Sequence, residues 1–108
     1  MHKVVVLTDA ETATGYRLAG VDVRVTDKDE AAKTLIAMVE EDAYGLVIVD
    51  EGLVPDPLAT TQRAMRGRDL PVLLPVPSLG AAFGDEDDAT QYMKDLVRGA
   101  IGFDIKME

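Results

Sequence analysis

The chain has 108 residues, a formal net charge of −9 and no cysteine, so it suits one domain and excludes a disulfide scaffold, thiolate metal sites and cysteine nucleophiles. His2 is the only histidine and adjoins the N-terminus, which argues against a multi-histidine metal centre or a buried Ser-His-Asp triad. Basic residues are scattered except for Arg63, Arg66 and Arg68, and an acidic chain lacks the basic face that nucleic-acid binding needs.

Val4-Val5-Val6-Leu7 is a continuous β-branched run ended by Thr8-Asp9, the pattern of a strand buried on both faces of a parallel sheet. Thr8 and Glu11 have capping-box spacing, which predicts a helix from here to about Ala19, stopped by Gly20. Val21, Val23 and Val25 alternate with Asp22, Arg24 and Thr26, the signature of a half-exposed edge strand. Asp27 or Asp29 is placed to cap a second helix with apolar positions Ala31, Ala32, Leu35, Ile36 and Val39, ended by Glu40, Glu41 and Asp42. Leu46-Val47-Ile48-Val49 reads as another buried strand, ended by Asp50-Glu51. After Pro55 and Pro57 a third helix is expected to run to about Met65 or Arg66. Val72-Leu73-Leu74, bracketed by Pro71 and Pro75, reads as an edge strand because proline cannot donate to a ladder. This order predicts an α/β fold: a flavodoxin-like (receiver-like) parallel sheet of four strands with flanking helices.

After residue 75 the composition changes. Residues 75–84 read as a linker, 85–88 are all acidic, and Ala89, Tyr92, Met93, Leu96, Val97, Ala100 and Ile101 recur at three- and four-residue steps. That stripe predicts a helix from about residue 88 to 101 with coiled-coil spacing, followed by a tail carrying Phe103 and Ile105. The expected division is a domain over residues 1–78 and, over 79–108, a hinge, a mobile C-terminal interaction helix and a tail. Packing of the stripe on the chain's own sheet is the competing reading. No apolar run approaches the length of a membrane span, and Met1-His2-Lys3 leads straight into a strand, so a cytoplasmic chain without direct membrane insertion is expected.

Candidate chemistry is sparse. Asp50 ends the third strand, where receiver domains carry their phospho-acceptor, and a stand-alone receiver phosphorylated at Asp50 is the alternative function. Phosphotransfer there needs a second acid beside Asp9, where Thr8 stands. It needs a Ser or Thr after strand four, where Pro75 stands, and a Lys after a fifth strand that the pattern lacks. The acidic run 85–88 suits a helix N-terminus better than a metal site. Gly15 and Gly20 form no dinucleotide fingerprint, and no nucleophile has an adjacent base. No catalytic, cofactor-binding or metal-binding residue is therefore assigned. Arg63, Arg66 and Arg68 either meet an acidic partner or answer a helix C-terminus.

Thr12-Ala13-Thr14-Gly15-Tyr16-Arg17-Leu18-Ala19-Gly20-Val21 resembles the TxxGFRLAG(I/V) segment of F subunits of V-type and archaeal-type ATP synthases, with Tyr16 where Phe is common. Arg66-Gly67-Arg68-Asp69-Leu70-Pro71-Val72-Leu73-Leu74-Pro75 and Gly102-Phe103-Asp104-Ile105-Lys106 agree as well, in order along the whole chain. The resemblance implies a non-catalytic rotor subunit without cofactor, in the central stalk. It implies binding to the coiled-coil D subunit, a place beside the A/B catalytic ring and the membrane-sector stalk-socket subunit, and a peripheral position at the membrane through the complex. It further implies coupling of ATP synthesis or hydrolysis to ion translocation by rotation, and regulation of hydrolysis through the C-terminal helix. The expected partner surface is Tyr92, Met93, Leu96, Val97, Ala100, Ile101, Phe103 and Ile105, with Arg63, Arg66 and Arg68. A third reading is an adaptor for some other coiled coil.

Overall fold

The computed structural model describes residues 3–78 and 91–99. Strands β1 (Lys3–Thr8), β2 (Asp22–Val25), β3 (Tyr44–Asp50) and β4 (Val72–Val76) form one parallel sheet in the order β2-β1-β3-β4. Helices α1 (Ala10–Leu18), α2 (Ala31–Glu41) and α3 (Pro57–Thr60) lie between them, and residues 91–99 form a further helix, α4. β1 and β3 hold the centre, as their unbroken β-branched runs require. Val5, Val6 and Leu7 pair with Val47, Ile48 and Val49, and all six are buried.

Both expected edges are observed. β2 is only partly covered, and β4 is blunted by proline. The Val76 carbonyl accepts from Glu51 N–H at 2.8 Å, so the backbone of Val76, and by alternation of Leu74 and Val72, faces β3. Leu73 and Pro75 then face the open edge, where Pro75 has no N–H to offer. The expected linker starting at Pro75 is corrected here: Pro75 and Val76 complete β4, opposite Val49 and Asp50.

Two apolar clusters sandwich the sheet. Val5, Leu7, Val47 and Val49 face Ala31, Leu35, Met38 and Val54. Val6, Leu46, Ile48 and Val76 face Tyr16 of α1 and Met93 and Val97 of α4. On α2 the buried set is Ala31, Leu35, Met38 and Val39. Ala32, expected in the core, is exposed, and Ile36 is half-buried. The apolar stripe of α2 is thus rotated toward Met38.

Two element ends differ from expectation. Thr8 does not cap α1; it completes β1, and Asp9 caps instead, its carboxylate accepting from Thr12 N–H at 2.7 Å. α3 stops at Thr60 rather than near Met65. The hydroxyls of Thr60 and Thr61 bond back to the carbonyls of Asp56 (3.0 Å) and Pro57 (2.8 Å), and the chain continues in turns to Gly67, which has φ +74°. Such back-bonding competes with regular helix and loosens it.

Candidate functional site

The C-terminal helix is seated on the sheet by close packing against α1. A β-carbon at Gly15 would overlap Met93 Sδ and stand 3.1 Å from its methyl carbon, so the bare helix surface at Gly15 is what admits this side chain. Met93 and Val97 are 5% and 2% exposed, and Tyr92 and Leu96 pack half-buried against the same cluster. Four of the expected partner-binding residues therefore meet the chain's own sheet in this arrangement. Ala100, Ile101, Phe103 and Ile105 lie outside the described residues, as do the acidic run and most of the expected linker.

Arg63 and Arg66 stand on the turns that follow α3, and Arg68 lies just past them. Arg68 reaches Asp42, 3.6 Å away, at the end of α2. Arg24 makes the matching contact with Glu41, at 3.3 Å, and donates to the Tyr44 hydroxyl at 2.8 Å. An acidic run at a helix C-terminus is unfavourable to the dipole, and these two arginines offset it. Arg63 and Arg66 are exposed, and among the described residues neither lies in a salt bridge.

At the opposite end of the strands lies a buried polar cluster. Asp50 is 4% exposed, and its two oxygens are divided among three donors. Oδ2 accepts from the Thr8 hydroxyl (3.1 Å); Oδ1 accepts from the Ser78 hydroxyl (2.7 Å) and from Gly52 N–H (2.8 Å). A β-carbon at Gly52 would collide with Ser78 Oγ, so Gly52 keeps the path from Ser78 to the carboxylate open. The threonine that replaces a second acid at position 8 turns the site from a place that gathers charge into one that satisfies it. Asp9 is occupied as the cap of α1. Among the described residues no three His, Cys, Asp or Glu side chains converge as a metal site would require. Burial pushes the Tyr16 phenol far above its usual pKa, with the negative charge of Asp50 and then Tyr92 adding to the effect.

Sequence reasoning missed the Gly15–Met93 seat and the Ser78–Asp50 bond. A glycine inside an otherwise regular helix was the available signal for the first. Nothing local marks the second, whose partners stand far apart in the chain.

These features define a small parallel α/β domain whose strand-end acid is fully hydrogen-bonded and whose second face is closed by a C-terminal helix. The family described as "ATP synthase (F/14-kDa) subunit" matches residues 4–93, and the chain belongs to that family. Among curated relatives, the F subunit of the V-type ATP synthase of Thermus thermophilus is 50% identical over 103 residues, covering 94% of this chain and 98% of the relative. The F subunit of the A-type ATP synthase of Pyrococcus abyssi is 32% identical over 111 residues, covering 96% and 98%. Among the described residues no helix is long and apolar enough to cross a membrane.

Proposed function

We propose that this chain is a non-catalytic central-stalk subunit of a V-type ATP synthase, bound to the coiled-coil D subunit that turns inside the A/B ring. Its role is to help couple ATP synthesis or hydrolysis to ion translocation by rotation. The observation that carries the reading is the end-to-end likeness to a V-type F subunit at 50% identity. A satisfied Asp50 supports a scaffold rather than a phosphorylated receiver, because both carboxylate oxygens are already engaged.

The C-terminal helix is the regulatory element in this reading. Residues 1–78 form the fixed domain, and residues 79–108 carry the helix that docks on it or turns onto a partner. In the docked position Met93 and Val97 fill the sheet face. In the second position the same stripe enters the groove of a coiled coil, together with Ala100, Ile101, Phe103 and Ile105, while Arg63, Arg66 and Arg68 meet acidic side chains. A methionine at the centre of the stripe suits a surface with two environments, because its unbranched thioether adapts to either. The chain reaches the membrane only through the other subunits, the stalk-socket subunit among them, on the cytoplasmic side.

Co-purification from the native source tests this, comparing the full chain with a truncation lacking residues 85–108. The full chain is expected to retain a stoichiometric coiled-coil subunit and the A/B ring, and the truncation to lose or weaken them. Absence of such partners from both forms would overturn the reading.

A further inference from the structure

The chain has five methionines, no cysteine and no tryptophan, so its thioethers are the groups that a peroxide oxidises first. Met38, Met65 and Met93 lie among the described residues, and each has a different cover. Met38 is fully buried on α2, in the cluster with Leu35 and Val47, and only loss of the fold uncovers it. Met65 is half-buried on the turns beyond α3. Met93 is buried as well, but what hides it is the seating of α4 on the sheet.

That seat has no spare room at the sulfur. Met93 Sδ already fills the space that a β-carbon at Gly15 would take, and the methyl carbon lies 3.1 Å from the same point. The thioether is thus pressed against bare backbone of α1. Val6, Leu46, Ile48, Val76 and Val97 share its cluster with the ring of Tyr16, whose hydroxyl is the one polar side-chain group among these residues. Oxidation to the sulfoxide adds an oxygen at the tightest contact and turns an apolar atom into a strong hydrogen-bond acceptor. A buried acceptor in apolar surroundings is unfavourable, and a close-packed seat does not open for one more atom.

We propose that Met93 is an oxidation site gated by α4 itself: covered while the helix is docked, open to a peroxide when the helix leaves the sheet, and unable to return to the Gly15 seat as the sulfoxide. In the step, a lone pair of the Met93 sulfur attacks one oxygen of hydrogen peroxide. The S–O bond forms as the O–O bond breaks, and the departing hydroxide takes up the remaining peroxide proton as water. The sulfur loses two electrons and the peroxide gains them. A dithiol-dependent sulfoxide reductase reverses the change, returning the thioether with release of water and a disulfide. Oxidation therefore holds α4 off the sheet, and reduction lets it dock again. The inference rests on the reading of α4 as a helix with two positions.

The test treats the full chain with hydrogen peroxide, maps oxidation at each methionine by peptide mass, and follows hydrogen exchange of residues 91–99. Met65 is expected to oxidise roughly tenfold faster than Met93, and Met93 roughly tenfold faster than Met38, in the order of the openings that expose them. Once Met93 is oxidised, the α4 amides should exchange about tenfold faster while those of β1 and β3 are unchanged, and sulfoxide reductase should restore the original rate. Met93→Leu, which has no sulfur, should make α4 exchange insensitive to peroxide. Met93→Gln, which places a polar group in the seat, should speed it without peroxide. Unchanged α4 exchange after oxidation of Met93 overturns the inference and leaves the two-position reading standing. So does a peroxide response that persists in Met93→Leu, or oxidation of Met93 as fast as that of Met65. Met93 as inert as Met38, with α4 amides as slow as those of β1 and β3, defeats both.

Discussion

The two faces of the sheet are closed in different ways. One is covered by α2, which joins β2 to β3 and leaves no freedom to depart without breaking the fold. Its cluster, Val5, Leu7, Val47 and Val49 against Leu35 and Met38, comes entirely from residues 5–54. The other face is covered in part by α1 and in part by α4, which contributes two buried residues, Met93 and Val97, from far along the chain. A cover held by two buried side chains and a glycine notch is separable from what it covers; a crossover helix is not. Under the proposed function, the fold supplies a permanent core and a second surface from which α4 departs when the coiled-coil partner binds.

Substitutions at three positions sharpen this contrast. Leu35→Ala, on the permanent face, should destabilise the whole chain by about 2–5 kcal/mol, seen as a shift of the entire denaturation curve. A loss confined to the α4 amides would contradict the assignment of that face. Asp50→Ala should cost about 1–3 kcal/mol, since it strands the Thr8 and Ser78 hydroxyls and Gly52 N–H without their acceptor. Asp50→Asn keeps an acceptor oxygen and should cost less in the same equilibrium measurement. Val97→Ala removes about two buried methyl groups, or about 1–2 kcal/mol. Its effect should appear in hydrogen exchange of residues 91–99 and spare the amides of β1 and β3. Equal acceleration everywhere would mean that α4 is as integral to the fold as α2.

Much of the fold was legible because its signals are local. The continuous apolar runs around Val5 and Val47 marked the central strands, and the alternation around Val23 and the prolines around Leu73 marked the edges, all as observed. The element ends were harder. Thr8 had the spacing of a cap, yet the sheet claimed it as a hydrogen-bond donor to Asp50, 42 residues away. Thr60 and Thr61 gave no warning that they would end α3, since their back-bonds depend on the local geometry rather than on a pattern. The stripe on α4 was visible as a stripe, but periodicity alone does not say what it faces. Only the fit of Met93 at Gly15 shows the cover in place.

The central claim is that α4 has two positions, on the sheet in the free chain and away from it on the coiled-coil partner. The chain has no cysteine, so paired labels at Lys94→Cys on α4 and Leu58→Cys on α3 report the distance between the helix and the fixed domain without background. Both sites are exposed, and neither lies in a buried cluster. Energy transfer between the labels should show one distance in the free chain and a clearly different one after the coiled-coil partner is added. An unchanged distance in a complex shown to have formed would contradict the account: α4 would then be a fixed part of the domain, and the partner would have to be held elsewhere.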